Sequence, residues 1–282
     1  MWQLEKVIRA PFVRGLGMIY GSAVHAGLET FNNDHFLLAS GTIDRKAVLA
    51  EFHSEFKEQL TVRALKDEYD KIQRQKNARK ALKQLTFNQF KDFMTDELKK
   101  IGESHLNQYM DRTDHGSRHL IIEERCEEEL FGLPFTYIID LLDVFQGKVR
   151  LRDYKTRAKS DKKLARIQLT GYAWALKKYK EIDVELIEQI NFIKTASNPR
   201  VEVLTYDIDG LSTDFIVFEQ EVKTFIAGVE AGIFPRNREH YCDSCGVKEV
   251  CFDPDQEQDF LDKQVEEEDD KELALGSHGD DD

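Results

Sequence analysis

Residues 135–156, FTYIIDLLDVFQGKVRLRDYKT, leave this chain few ways to fold. Two runs rich in Ile, Leu, Val and Phe flank Gln146 and Gly147, and a two-residue loop there makes a β-hairpin. In that register Phe145 faces Lys148, Asp143 faces Arg150 and Asp140 faces Asp153. Directly opposed side chains share a face with Cβ atoms about 4.5–5.5 Å apart, so the two carboxylates are expected side by side. Lys155, two residues on, points the same way.

The face of Asp140 and Asp153 also holds Leu142, Val144, Val149 and Leu151, an apolar surface running up to an acidic end. The other face carries Leu141, Asp143, Lys148, Arg150 and Arg152, and its Asp143–Arg150 pair reads as structural. Opposed like charges destabilise a strand pair, so two aspartates beside a buried face call for a compensating cation. A hard divalent ion bound through oxygen suits them. A pair of ordinary strand-end acids, one neutralised by Lys155, is the alternative the residues leave open.

Around this hairpin the chain reads as mixed α/β. Residues 17–31 fit a turn and an amphipathic helix with Val24, Leu28 and Phe31 on one stripe, and helical patterns continue from Arg45 to Tyr109. Past Gly116 the period changes to strands at 119–131, 134–145 and 148–156, then a helix at 162–180, strands at 186–194 and 200–207, and a helix at 211–231. No run approaches eighteen apolar residues and Met1–Ala10 lacks a secretory pattern, so a soluble cytoplasmic protein is expected, with no membrane partner.

The net charge of −13 argues against a nucleic-acid partner until it is apportioned. Fourteen acids against Lys263 and Lys271 between Asp253 and Asp282 give −12, which leaves about −1 for the rest. A near-neutral body can carry a local basic face, and the local field is what attracts phosphate. Such a stretch follows the hairpin: Lys155, Arg157, Lys159, Lys162, Lys163 and Arg166 against Asp153 and Asp161. Gln168 and Tyr172 follow at helical spacing, able to hold a nucleotide or phosphate from one face, or simply to pack and cap.

The order of these residues resembles a known family. Asp140, then Asp153-Tyr154-Lys155-Thr156, then Gln168-xxx-Tyr172, preceded by Gly21-Ser-Ala-Val-His25, is similar to the PD-(D/E)xK nucleases of the RecB nuclease-domain branch. The motifs span residues 21–172, and their order is more specific than any one of them. The family often has Gly three residues before the first Asp; Tyr137 stands there. The resemblance implies a restriction-endonuclease-like mixed sheet flanked by helices. It implies that His25, Asp140, Asp153 and the Tyr154 carbonyl ligate Mg²⁺ or Mn²⁺, with Lys155 orienting or activating the attacking water. The implied function is a metal-dependent DNA nuclease, an exonuclease of recombination, repair or phage DNA metabolism in a bacterial or phage-infected cell. DNA is the partner, alongside a recombination or single-strand-binding protein. A CRISPR-adaptation nuclease and a catalytically inactive DNA-binding scaffold of the same fold are the alternatives.

Cys242, Cys245 and Cys251, following His240 and Phe234-Pro235-Arg236-Asn237, resemble the C-terminal three-cysteine segment of the iron–sulfur, AddB-like members and of the CRISPR-associated four-cysteine nucleases. Those hold a [4Fe-4S] cluster with a fourth cysteine upstream of the histidine helix, and no cysteine precedes Cys126 here. A fourth ligand beyond this chain, a Zn²⁺ site completed by His240, or free thiols remain open. The expected organisation is a helical lobe carrying His25 at 1–115, a nuclease core at 116–235, the cysteine segment at 236–254 and an acidic tail at 255–282 that is disordered or competes with DNA for the basic channel.

Overall fold

The computed structural model describes residues 15–37, 44–76, 78–112, 117–158, 166–194, 198–207 and 213–231. The chain divides into two compact units, Arg14–Ala227 and a second made of Met1–Val13 with Gly228–Asp282. Lys159, Lys162, Lys163, Cys242, Cys245, Cys251 and the acidic tail lie outside the described residues.

Five helices come first: α1 Leu16–Leu37, α2 Arg45–Gln59, α3 Val62–Arg74, the single turn α4 Lys80–Lys83, and α5 Phe87–Asp111. Their starts are written locally. Asp44 accepts from the amides of Lys46 and Ala47 ahead of α2, Thr61 caps α3, and Thr86 with Gln89 forms a reciprocal capping box on α5. Along α1 the buried residues Ile19, Tyr20, Ala23, Val24, Leu28 and Phe31 recur every three or four positions.

Then come β1 Arg118–Leu130, β2 Leu133–Phe145 and β3 Lys148–Arg157, helix α6 Arg166–Lys180, β4 Leu186–Ile193, β5 Arg200–Asp207 and α7 Thr213–Glu230. The strands form one sheet in sequence order; β3 and β4 are parallel, with α6 lying between them in the chain, and the other neighbours are antiparallel. Both hairpin loops have two residues in the left-handed region, Phe131–Gly132 at φ 49° and 84° and Gln146–Gly147 at φ 52° and 80°. This is the turn whose twist matches that of the flanking strands, and glycine meets its second position without strain. The first loop lies one residue earlier than Gly-Leu-Pro suggests, so Leu133 and Pro134 open β2.

Two apolar layers cover the sheet. Helices α1, α2, α3 and α5 pack with Leu141, Tyr154, Ile190, Phe192 and Val201, while α6 and Phe218 of α7 pack with Leu142, Leu151 and Ile187. Neighbours such as Leu141 and Leu142 fall in different layers because successive strand side chains point to opposite faces. In the first layer Arg150 donates to both carboxylate oxygens of Asp143, at 2.9 and 2.8 Å, and both residues are buried. Asp143 is structural, as its position opposite Arg150 requires.

Candidate metal and nuclease site

The β2–β3 register runs Phe145–Lys148, Val144–Val149, Asp143–Arg150, Leu142–Leu151 and Leu141–Arg152, and there it ends. Asp140 and Asp153 would be the next pair, but the strands part: β2 continues against β1 and β3 continues against β4 as far as Arg157. The two acids therefore sit at a fork and are not a ladder pair. In place of main-chain pairing, the Asp140 carboxylate accepts the Tyr154 N–H at 2.6 Å.

The fork coincides with a break in β1 and β2. Ile122 pairs with Leu141 and Glu124 with Ile139, while Glu123, between them and opposite Asp140, has a left-handed φ of 44°. Side-chain alternation slips by one position here in both strands. Cys126, Tyr137 and Ile139 share an apolar layer with Ile121 and Leu142, which strict alternation forbids. A left-handed, non-glycine residue inside a strand is strained and marks a place where something other than the ladder is being satisfied.

Helix α1 delivers His25 to this point. Gly21, one turn earlier, faces β3 so closely that a Cβ there would lie 3.1 Å from Thr156 Oγ1, which lets the helix lie against the strand. The imidazole Nδ1 is 3.0 Å from Glu123 Oε1 and 3.7 Å from Asp140 Oδ1, and Nε2 is 3.2 Å from the Tyr154 carbonyl oxygen. Tyr154 thus engages Asp140 through its N–H and His25 through its C=O. Its ring is buried edge-on to the His25 ring at 5.8 Å, and its hydroxyl meets Asn32 and Tyr109 at 3.1 and 2.9 Å.

Asp153 and Lys155 lie beside this group, joined by a 2.9 Å ion pair from Nζ to Oδ1. Asp153 is 3% exposed and its Oδ2 has no hydrogen-bond partner. Burial raises both carboxyls to about 6; the charge of Glu123 adds to this at Asp140 and that of Asp140 adds at Asp153, against relief from His25 and Lys155. Burial also opposes charge on His25, but the Glu123 hydrogen bond, the charges of Asp140 and Glu123 and the Tyr154 carbonyl outweigh it, pushing the imidazole up to about 9. This is a cluster of buried acids balanced by the His25 imidazolium and the Lys155 ammonium.

Among the described residues, His25, Glu123 and Asp140 bring metal-ligating atoms within 4.8 Å of one another. The donor set fits a divalent ion: two or three carboxylates, an imidazole and a carbonyl, with a buried carboxylate oxygen lacking a partner. Glu123 was not among the residues that the sequence singles out. The signal that could have found it is the pair of apolar doublets, Ile121-Ile122 and Leu141-Leu142, interrupting strict alternation beside Glu123 and Asp140.

On α6, Gln168 Nε2 donates to the Tyr172 hydroxyl at 2.7 Å, so the two share a face. Burial raises the Tyr172 phenol, and the charges of Asp153 and Asp140 contribute, so its ring edges the same site. Arg157 Nε donates to buried Asn191 Oδ1 at 2.9 Å, just beyond Lys155. Arg166 is turned to α7, where it pairs with Asp214 at 2.7 Å. The structure thus gathers His25, Asp140, Asp153, Tyr154 and Lys155, with Tyr172 and Gln168 at the edge and Arg157 alongside.

The family model of the PD-(D/E)XK nuclease superfamily matches residues 2–252 of the chain. No curated protein is similar enough to count as a match. Among solved structures, the crystal structure of SSO0001 is similar with 15% identity and a TM-score of 0.32, over 83% of this chain and 96% of that one.

Proposed function

The chain belongs to the PD-(D/E)XK nuclease superfamily, whose members are usually phosphodiester hydrolases, and from that membership we propose that it is a Mg²⁺- or Mn²⁺-dependent deoxyribonuclease acting from DNA ends. The five-stranded mixed sheet flanked by helices is the restriction-endonuclease-like architecture of that superfamily. The observation that carries the proposal is the clamp on Tyr154, whose N–H holds Asp140 and whose C=O meets His25, with the Asp153–Lys155 pair adjoining.

In this reading His25, Asp140, Asp153 and the Tyr154 carbonyl hold the ion. When bound, a divalent ion polarises the scissile phosphodiester and lowers the pKa of attacking water. Lys155 keeps its ammonium at the rim, 28% exposed, where it orients that water and offsets charge on the phosphate. Tyr172 and Gln168 line the approach and brace one nucleotide, and Arg157 with the basic segment after it tracks the strand. Cys242, Cys245 and Cys251 are read as ligands of a [4Fe-4S] cluster or Zn²⁺; visible absorption of the purified protein separates the two.

The test is incubation of the full chain with end-labelled linear and closed circular DNA, with Mg²⁺, Mn²⁺ or EDTA. Metal-dependent loss of the linear substrate alone is expected. Cleavage of circles would replace the exonuclease reading with an endonuclease one, and inertness towards both with either metal would overturn the nuclease reading.

A further inference from the structure

We propose that Glu123 is a positioning residue that fixes the tautomer and ring orientation of His25, and that its strained backbone is retained for this. The inference rests on the metal-nuclease reading above and names a residue that the motif order does not contain.

His25 has two ring nitrogens, and only one can give a lone pair to an ion. Nδ1 lies 3.0 Å from Glu123 Oε1, a hydrogen-bond distance, and farther from Asp140 Oδ1 at 3.7 Å. A carboxylate only accepts, so this contact keeps the proton on Nδ1 and leaves Nε2 as the ligating atom. Nε2 faces the Tyr154 carbonyl oxygen at 3.2 Å. Two atoms bound to one octahedral ion at 2.0–2.1 Å lie about 3 Å apart, close to the separation these two already have. The Glu123 contact therefore turns the ring so that the correct nitrogen lies beside the correct carbonyl.

Three further observations place this role on Glu123. Its side chain is 14% exposed, so the carboxylate is drawn inward and not left to solvent. Its φ of 44° costs conformational energy that a ladder residue would not incur. It stands opposite Asp140 where the β1–β2 pairing lapses between Ile122–Leu141 and Glu124–Ile139, a second irregularity beside the register shift between His119 and Ile121. With regular alternation, neither acid would be turned to α1 in this way.

The experiment is calorimetric titration of the full-length protein with MnCl₂ at one pH, in wild type, Glu123→Gln, Glu123→Gly, His25→Ala, the Glu123→Gly/His25→Ala double variant, and Asp153→Asn as a site control. Glycine accepts the left-handed φ, and glutamine keeps an oxygen that can accept from Nδ1. Loss of a residue that orients a ligand weakens metal binding about ten- to a hundredfold, which is the fall expected for Glu123→Gly. Glu123→Gln should lie nearer to wild type than to the glycine variant. The double variant should bind no more weakly than His25→Ala alone, because Glu123 acts through that ring.

Wild-type affinity in Glu123→Gly, an additive loss in the double variant, or a glutamine variant as weak as glycine would each overturn the positioning role; the last two would point to Glu123 as a direct ligand. Failure of the underlying reading looks different, since wild type would then take up no Mn²⁺ or Asp153→Asn would leave uptake unchanged.

Discussion

The Asp140 carboxylate accepts the backbone N–H of Tyr154 at 2.6 Å, the amide that directly follows Asp153. This bond stands where the next main-chain pair of the β2–β3 ladder would have been, so the fork that opens the site also closes one of its own unpaired amides. Because the Tyr154 carbonyl meets His25 and its ring is buried under α5, a single residue ties two helices of one layer, α1 and α5, to the acids. The side chains of Asp140 and His25 are thus both referred to the main chain of Tyr154.

Asp153 makes the fold less stable than it could be. Its pKa is raised in the folded protein to about 6 from an ordinary 3.8, so its contribution is favourable below pH 3.8 and is lost as pH rises through 6. Asp153→Asn should therefore raise stability at pH 8, by on the order of 2 kcal/mol without metal, and the gain should vanish near pH 4. The same substitution, like Lys155→Ala, should lower DNA cleavage by at least on the order of 10²- to 10³-fold. Urea unfolding at the two pH values and a nuclease assay check both; lower stability at pH 8 would contradict the account.

Asp143, three residues beyond Asp140 on β2, should behave in the opposite way. It is fully buried and accepts two bonds from Arg150, with Arg152 3.7 Å away. Asp143→Ala leaves buried guanidinium charge poorly compensated and should cost about 3–5 kcal/mol. Chemical denaturation measures it, and a loss under 1 kcal/mol would mean that Glu188, which also meets Arg150 and Arg152, carries the charge balance instead.

The contrast between these acids marks how far the sequence could be read. The two-residue loop at Gln146–Gly147 fixes register, and register alone separates structural Asp143 from Asp140. What the pattern could not show is where the ladder stops. Beyond Leu141–Arg152 β3 keeps only the partner on its other edge, β4, about 35 residues downstream, as the Asp153–Gln189 pair shows. Glu123 escaped for a related reason: its left-handed backbone breaks the alternation that identifies faces, and among Glu123, Glu124, Glu127, Glu128 and Glu129 it is set apart by the apolar doublet Ile121-Ile122 before it and not by any residue type. Helix and strand positions followed from periodicity and caps, because those signals are local. The elements assembled around Tyr154 are not.

A third prediction concerns pH and lies away from the acids. His105 on α5 is buried and neutral; its Nε2–H donates to the Ile193 carbonyl at 3.0 Å and its Nδ1 accepts from the Tyr20 hydroxyl at 2.7 Å. Burial lowers its pKa to about 4, aided by the charge of Lys194 and opposed by the Ile193 bond. A depressed folded pKa means that its contribution is complete above the unfolded value of 6.5 and is lost as pH falls through about 4. His105→Gln should remove a share of the acid-side slope, up to on the order of 3 kcal/mol between pH 7 and pH 4. Unfolding midpoints at pH 7, 5.5 and 4.5 would show parallel slopes if His105 were protonated in the fold.

The last prediction links core packing to the site. Gly102 of α5 faces the ring of buried Phe52, and a Cβ there would fall 2.1 Å from Cζ and 2.6 and 2.7 Å from the two Cε atoms. Phe52 is itself stacked on Phe56 at 6.0 Å and edge-on to Tyr20 at 6.3 Å, so the ring has no open side to move into. An alanine gains up to about 1 kcal/mol of helix propensity over glycine, but overpacking typically costs 1–3 kcal/mol and sometimes more. Gly102→Ala should therefore lower net stability by about 1–2 kcal/mol or more. Tyr20 is on α1, five residues before His25, so displacing Phe52 should also tilt the helix that delivers the imidazole. Weaker Mn²⁺ binding is expected together with the lower melting temperature, and Phe52→Leu in the Gly102→Ala background should recover part of both. If the melting temperature fell while Mn²⁺ affinity stayed at the wild-type value, α1 would be anchored at the site by Gly21 and Thr156 alone, independently of the aromatic layer beneath it.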